Sequence, residues 1–451
     1  MKNLSITLLF TLLFLSITSC DVLDTEPQTS LDAETALADG ASAEAILLGA
    51  YSRMQAGSYY GIEYPLNNDL IADNAQMLGF FDSQLEIDSR NVPISNFWVG
   101  NVWVSVYRVA NVANELIAQV PEIEDETFTS SDRVLGEAHA IRALAYFDLL
   151  RVFGQHYDLS SSYGLPLLLE PIENNDFNLI PDLARSSVAD TYDQIISDLN
   201  TALALMGPGY TDNTAMSYWS ALALRARVNL YRQDYAAAFT DANTVIEDGP
   251  ASLELDIDDL FGPDITETTS ESIFDLVFSD QDQSSYYTFV FQRNEYRTDP
   301  SLTDSFEEGD LRGTLFLGNN DRSAKWSNPN NANNARVLRL GEMYLIRSEA
   351  AVYREAAPDP SAGLPDLNIL RNRAGLGDAG PLATEDEYIN LLLQERRAEL
   401  NFEGHRFFDL VRLDKIGEVL GMDEFRKVLP IPRDELLATE NLVQNPGFPT
   451  E

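Results

Sequence analysis

The sequence predicts a mostly α-helical protein. Four helix pairs form a curved frame, and long insertions build a second, loop-rich lobe with some short strands. Three observations lead there. Apolar residues recur at three- and four-residue spacing in a series of separate segments. Glycine, proline and capping residues bound those segments. Between them lie long stretches without helical period, some alternating at period two as strands do. Hydrophobic residues make up 45% of the 451-residue chain, enough for a sizeable core.

Taken in order, Glu34 to Met54 reads as a helix with small and apolar residues on one side, and a second runs from Trp98 to Val120. In the next, Leu135, Ala138, Ile141, Ala145, Leu149 and Val152 share a face, and Gly154 ends it. Val188 to Met206 follows, with Ser187 as N-cap and Gly207-Pro208-Gly209 as stop. Met216–Arg232 and Tyr235–Glu247 are joined by a very short turn. Glu342–Arg354 and Gly363–Ala374 repeat the arrangement. A last helix opens at Thr384 with a capping box to Glu387 and runs to about Leu400.

Three of the pairs share a signature in their first helix: Ile141-Arg142-Ala143, Leu224-Arg225-Ala226 and Ile346-Arg347-Ser348. The small residue lets a partner helix approach closely. Ala226, Tyr235, Ala238 and Pro250 fall at tetratricopeptide spacing, although Arg225 and Asn229 stand where that repeat has apolar residues. The pairs, spanning about 34–120, 135–206, 216–248 and 342–374, read as degenerate tetratricopeptide units. The insertions lie at about 56–97, 154–186 and 251–340. In the last of these, Phe274-Leu276-Phe278 and Tyr287-Phe289-Phe291 read as strands. Loops this long inside a domain tend to carry function.

The N-terminus carries a targeting signal. Lys2 precedes an apolar run from Ile6 to Ile17, then Thr18, Ser19 and Cys20, the only cysteine. That is the layout of a secretory signal over residues 1–19, too short to cross a bilayer, which takes about 20 residues. Leu15-Ser16-Ile17-Thr18-Ser19-Cys20 resembles a lipobox, so Cys20 is the expected lipidation site and residues 20–451 the mature body. An ordinary secreted protein with a chance cysteine is the alternative.

Charge excludes whole classes of partner. With 30 basic and 72 acidic residues the formal net charge is -42, which rules against nucleic acid or an anionic lipid surface. The acids read as a solvated outer face. Asp256-Ile257-Asp258-Asp259 is the densest cluster outside the helices and suggests a structural calcium ion. It lacks the glycine and twelfth-position glutamate of a calcium loop. No other cofactor is expected. His139 and His156 have no metal-ligand spacing, and neither a phosphate loop nor a nucleophile elbow occurs.

The C-terminal part, 384–451, carries the longest motifs. Gln394-Glu395-Arg396-Arg397-Ala398-Glu399-Leu400 leads into Asn401-Phe402-Glu403-Gly404-His405-Arg406-Phe407-Phe408-Asp409-Leu410. Pro430-Ile431-Pro432 and Gln444-Asn445-Pro446-Gly447-Phe448 follow. Together these resemble the closing signature of the RagB/SusD family of outer-membrane lipoproteins. Leu23-Asp24-Thr25-Glu26-Pro27 is similar to that family's mature N-terminus, and Arg339 to Ala350 to its fourth helical pair. The resemblance spans essentially the whole mature chain. It implies a surface-exposed lipoprotein of the cell outer membrane that binds oligosaccharide, or in some branches peptide. Such a protein acts as the lid of a SusC-type TonB-dependent transporter, without catalysis. The helical frame would face the transporter and the insertion lobe the ligand. Membrane contact would be through the lipid anchor only.

Glycan sites use exposed aromatic faces flanked by hydrogen-bonding groups. Candidates lie in the first insertion (Tyr59, Tyr60, Tyr64, Asp73, Asn74, Phe80, Phe81) and in the third (Tyr286, Tyr287, Arg293, Tyr296, Lys325, Trp326, Asn328). The expected platforms are Phe80, Phe81, Tyr296 and Trp326, with Asn74 and Arg293 as polar partners. Trp326→Ala and Phe81→Ala are then expected to weaken glycan binding without unfolding the protein. Trp98, Trp103 and Trp219 read as helix packing residues. His405, Arg396 and Arg397 read as structural, the arginines pairing with acids such as Glu399 or Glu403. Two rival functions remain open: a glycoside hydrolase with a pair of carboxylates, and a scaffold gripping peptides in the concave face of its repeats. Aromatics clustered on the insertions favour the transport reading; aromatics lining the helices favour the scaffold.

Overall fold

Asp39 opens the first helix, α1 (Gly40–Met54), by accepting from the Ser42 N–H at 2.8 Å. Its Ala43, Leu47, Ala50 and Met54 lie at helical spacing and are buried. The computed structural model describes residues 37–172, 184–318 and 321–450, so Cys20, the run before it and Leu23–Pro27 lie outside the described residues. The start expected at Glu34 also lies outside them; residues 37–39 form a turn.

Next come α2 (Glu63–Leu70), β1 (Ala75–Met77) and α3 (Asp82–Asp88). The long helices follow: α4 (Phe97–Gln119), α5 (Ser131–Phe153), α6 (Val188–Met206), α7 (Tyr218–Tyr231) and α8 (Tyr235–Asp248). β2 (Ser272–Leu276), β3 (Tyr296–Thr298) and β4 (Ala335–Arg339) precede α9 (Leu340–Tyr353), α10 (Pro360–Arg373), α11 (Glu385–Leu400) and α12 (Arg406–Arg412). Ser187 caps α6 and Thr384 forms the capping box with Glu387, as their sequences predict. From α4 to α11 each of these long helices packs on the next in sequence, and α1 packs on α4. The architecture is mostly helical, with few short strands.

The arginine of each repeated triplet has the same job. Arg142 grips Asp198 of α6 with two hydrogen bonds of 2.9 and 2.6 Å. Arg225 grips Asp241 of α8 at 2.8 and 2.7 Å, and Arg347 grips Asp366 of α10 at 2.9 and 2.7 Å. Each guanidinium forks onto one carboxylate, a geometry lysine cannot copy. The neighbouring Ala143, Ala226 and Ser348 are fully buried where the helices meet.

Two antiparallel strand pairs knit the insertions together. β1 pairs with β3, placing Met77 opposite Tyr296 and Ala75 opposite Thr298. β2 pairs with β4 across an irregular register. Phe274 and Leu276 therefore lie on a strand as expected, while Phe278 falls beyond its end. Tyr287-Phe289-Phe291 does not: Tyr287–Gln292 forms a π-helical turn, with Tyr287 and Phe291 stacked at 5.6 Å. A short apolar run fits either period, and among the described residues no strand pairs with this one.

The closing signature supplies a buried ionic core. Arg339 donates to Glu403 at 2.8 and 3.0 Å and to Glu399 at 2.7 Å, and Lys325 donates to Glu403 at 2.6 Å. Arg373 pairs with Glu271 and Glu399, and Arg312 with Glu395 at 2.9 Å. These arginines hold the Glu399 carboxylate well below its usual range against the burial that would raise it. Arg396 and Arg397 do not use Glu399 or Glu403, contrary to expectation. Arg396 donates to Asp409 at 2.7 Å, and Arg397 pairs with Asp73 at 3.2 Å. The two glutamates are already occupied by cations arriving from other elements.

At the centre of the signature the chain turns sharply. Phe402 and Gly404 have φ of +59° and +81°. Gly404 donates its N–H to Asp69 at 2.7 Å, and a Cβ there would lie 2.7 Å from Pro65 Cα. Only glycine fits.

Candidate functional site

The β1–β3 pair brings two distant insertions to one place. Directly after β1 come Phe80 and Phe81; directly before β3 come Phe289, inside the π turn, and Arg293. The first turns of α2 and α4 close the sides with Glu63 and Phe97. The result is a groove of about 380 Å³ lined by Ile62, Glu63, Phe81, Ser83, Gln84, Asp82, Phe97, Phe289 and Tyr296.

Its rim is aromatic and open. Phe81 is 44% exposed and Phe97 72% exposed; Phe80, beside them, is 96% exposed. The Phe81 and Phe289 rings lie 6.1 Å apart at 57°. Arg293 sits over both, 5.8 Å from Phe81 and 4.9 Å from Phe289. Its charge is met by Glu295. Soluble proteins seldom leave several large apolar rings exposed together without a ligand or partner to cover them.

Its floor is polar and fixed. Tyr296 is buried and donates to Asn67 Oδ1 at 2.8 Å. Ser83 Oγ accepts from the Trp98 N–H at 3.1 Å and donates to Asn96, whose side chain caps α4 at Val99 N. These bonds lock α3 onto the start of α4, which holds Phe81 and Phe97 to one frame. Gln84 Nε2 donates to Glu63 at 3.2 Å. Burial pushes the Glu63 carboxyl up to about 7.

Of the residues expected at a ligand, Phe81 and Tyr296 line this groove, Arg293 flanks it and Phe80 stands next to it. Asn74 and Trp326 are elsewhere. Trp326 is 2% exposed, stacked on Tyr286 at 4.0 Å, and its ring N–H donates to the Phe402 carbonyl at 3.2 Å. Such a ring has no face for a sugar, so the expected platform is a core residue. Asn74 is fully buried: it donates to Asp69 at 2.5 Å and accepts from Arg397 at 3.0 Å. Its amide ties the first insertion to the closing signature. Tyr59, Tyr60 and Tyr64 likewise form a buried cluster, the first two donating to Asp148 at 2.6 and 2.8 Å.

Phe97, Phe289, Glu63 and Gln84 are groove residues that sequence reasoning missed. Phe97 carried a usable signal, because it follows the cap Asn96 and a large apolar residue at a first helical position often faces outward. Glu63 and Gln84 carried none, since their meeting depends on how α2 and α3 cross. Trp98, Trp103 and Trp219 are packing residues, as expected.

His139 Nδ1 lies 2.8 Å from Asp198, the aspartate that Arg142 grips, and the other two histidines are buried. Burial lowers His156 to about 3. Burial and nearby arginines hold His405 well below its ordinary range. Both stay neutral at pH 7. Asp256–Asp259 forms a single tight turn in which Asp256 accepts from the Asp258 N–H at 3.1 Å. Among the described residues no group of acidic, histidine or cysteine side chains could hold a metal ion. Nor is any helix there long and apolar enough to cross a membrane.

The mostly helical frame with long insertions has counterparts among known proteins. Residues 262–423 match the family described as SusD family, and residues 21–230 the one described as starch-binding, associating with outer membrane. The chain belongs to the SusD family. It is similar to SusD-like protein P2 of Formosa agariphila, 26% identical over 99% of this chain and 100% of the relative. A SusD superfamily protein from Bacteroides vulgatus has 27% identity and a TM-score of 0.79, covering 91% of this chain and 99% of its own. A laminarin-binding SusD-like protein shares the fold, with TM-score 0.75 and 23% identity over 91% of this chain and 100% of its own.

Proposed function

We propose that this protein captures an oligosaccharide in the Phe81–Phe289–Phe97 groove and delivers it, uncut, to a SusC-type TonB-dependent transporter whose lid it forms. A lipid on Cys20 would anchor it to the outer membrane, facing the exterior. The helical frame, read as tetratricopeptide-like pairs, would face the transporter, and the insertion lobe the ligand. Membership of a sugar-binding family that associates with the outer membrane supports the setting. The observation that carries the reading is the rigidly mounted, solvent-open aromatic rim where the first and third insertions meet the start of α4.

The test is a titration of the purified mature protein with a panel of polysaccharides. Phe81→Ala combined with Phe289→Ala should weaken binding at least tenfold, about 1.4 kcal/mol, while thermal unfolding stays near that of the parent. Unchanged affinity would remove the groove from the mechanism, and release of shortened sugar would replace capture with hydrolysis. Cys20→Ala should move the protein from the membrane fraction to the soluble one; a variant that stays with the membrane contradicts the anchor.

A further inference from the structure

The groove contains an acid that no cation among the described residues neutralises. Glu63, the first residue of α2, lines it beside Phe81 and Phe97. Gln84 Nε2 is its hydrogen-bond partner at 3.2 Å. Burial raises its titration to about 7 against the opposing pull of that amide, with no lysine, arginine or histidine contributing. The other ionisable groups facing it are Asp82 from α3 and Tyr296 from β3, with Glu295 behind the tyrosine. The cation at the rim, Arg293, is committed to Glu295.

Several acids elsewhere in the protein meet cations. Glu399, Glu403, Asp409 and Asp73 each lie against guanidinium or ammonium groups. Asp69, which burial also raises to about 7, has both oxygens occupied, by Asn74 and by the Gly404 N–H. A carboxylate has about four acceptor sites, and at Glu63 the Gln84 amide fills one. What the site lacks is hydrogen-bond donors without charge repulsion.

We infer that the groove selects an uncharged saccharide and that Glu63 sets this specificity, accepting hydrogen bonds from sugar hydroxyls while repelling uronate and sulfate groups. The inference rests on the groove being the saccharide site. A bound polyanion would bring its charges into a partly dry cleft beside Glu63 and Asp82, with no free cation among the lining residues. The whole chain, at -42, adds to the repulsion. Recognition of carboxylate or sulfate groups ordinarily uses arginine or lysine, and like charges across an interface reject the wrong partner. Hydroxyls donate better to the ionised carboxylate than to the acid. Binding of a neutral sugar therefore favours ionisation, and affinity rises as pH passes upward through 7.

The experiment is calorimetric titration of the full mature chain at pH 6 and pH 8. The probes are soluble starch, laminarin and mannan as neutral polymers, and polygalacturonate and carrageenan as polyanions. At least one neutral polymer should bind tenfold or more tightly than either polyanion, and its affinity should rise three- to tenfold from pH 6 to pH 8. Glu63→Gln keeps the shape and should keep the fold, checked by circular dichroism. It should weaken the neutral polymer three- to tenfold, abolish the pH step and narrow the gap to the polyanions. Equal or tighter polyanion binding by the parent protein overturns the inference, as does an unchanged pH step in Glu63→Gln. Phe81→Ala separates the two levels. If it weakens a polyanion that the parent binds, the groove stands and the role of Glu63 falls. If it leaves every polymer unaffected, or if no neutral polymer binds the parent, the groove reading falls and this inference with it.

Discussion

Trp326→Ala is the substitution on which sequence and structure give opposite answers. The sequence offers Trp326 as an exposed platform whose loss weakens sugar binding without unfolding. The structure makes it a keystone between the third insertion and the closing signature, stacked on Tyr286 at 4.0 Å and bonded to the Phe402 carbonyl at 3.2 Å. Truncating a buried tryptophan costs about 3–5 kcal/mol through lost burial and the cavity left behind. Losing the stacked pair adds about 0.5–1.5 kcal/mol, and the Phe402 carbonyl left without its donor adds about 1 kcal/mol. These losses overlap, so the expected total is about 4–6 kcal/mol, a large share of the 5–15 kcal/mol typical of a folded protein. Denaturant unfolding measures it directly, with Trp326→Phe, which keeps the stack but not the N–H, falling near 1–2 kcal/mol. Sugar affinity of whatever fraction stays folded should match the parent. Phe81→Ala should behave in the reverse sense, losing affinity with less than about 1 kcal/mol of stability, because its ring is already 44% exposed. A Trp326→Ala protein of parental stability that no longer bound sugar would refute the placement.

Further outcomes follow from the same contacts. Arg339→Ala removes the cation that Glu399 and Glu403 share and should cost about 3–5 kcal/mol in denaturant unfolding; Arg339→Lys should fall between, lacking the fork. Gly404→Ala places a Cβ against the Pro65 backbone at a φ of +81°, so thermal unfolding should drop by several degrees and expression with it. His156 is held neutral by burial, near 3 against 6.5 in the unfolded chain. Between those values the unfolded state binds the extra proton, so its contribution is complete above pH 6.5 and lost as pH falls toward 3. Stability should decrease by about 2 kcal/mol from pH 6.5 to pH 5 on its account, and His156→Gln should show a visibly shallower pH dependence; an equal slope would contradict the neutral histidine.

The helices were legible because their signals are local. Val188–Met206 and Glu385–Leu400 announce themselves through periodicity and caps that act within a few residues of each end. The Ile141-Arg142-Ala143 triplet and its two counterparts were visible too. Their aspartate partners were not, since Asp198, Asp241 and Asp366 stand at different distances along the chain from Arg142, Arg225 and Arg347. Aromatics in the insertions were the hardest to place. Phe81 and Trp326 have the same kind of neighbourhood in sequence and opposite burial in space.

By itself, the sequence determined a mostly helical chain, its family, and the insertions as the place where exposed rings would be found. Periodicity, capping and long ordered motifs are properties of adjacent residues, so they survive without coordinates. Tertiary structure alone decided which rings reach water. That choice depends on the pairing of β1 with β3, residues more than two hundred positions apart, and on cations from α10, β4 and the Lys325 turn that draw Glu399 and Glu403 inward. Contacts closed across such distances are set by the packing of the whole chain, and no short stretch of it encodes them.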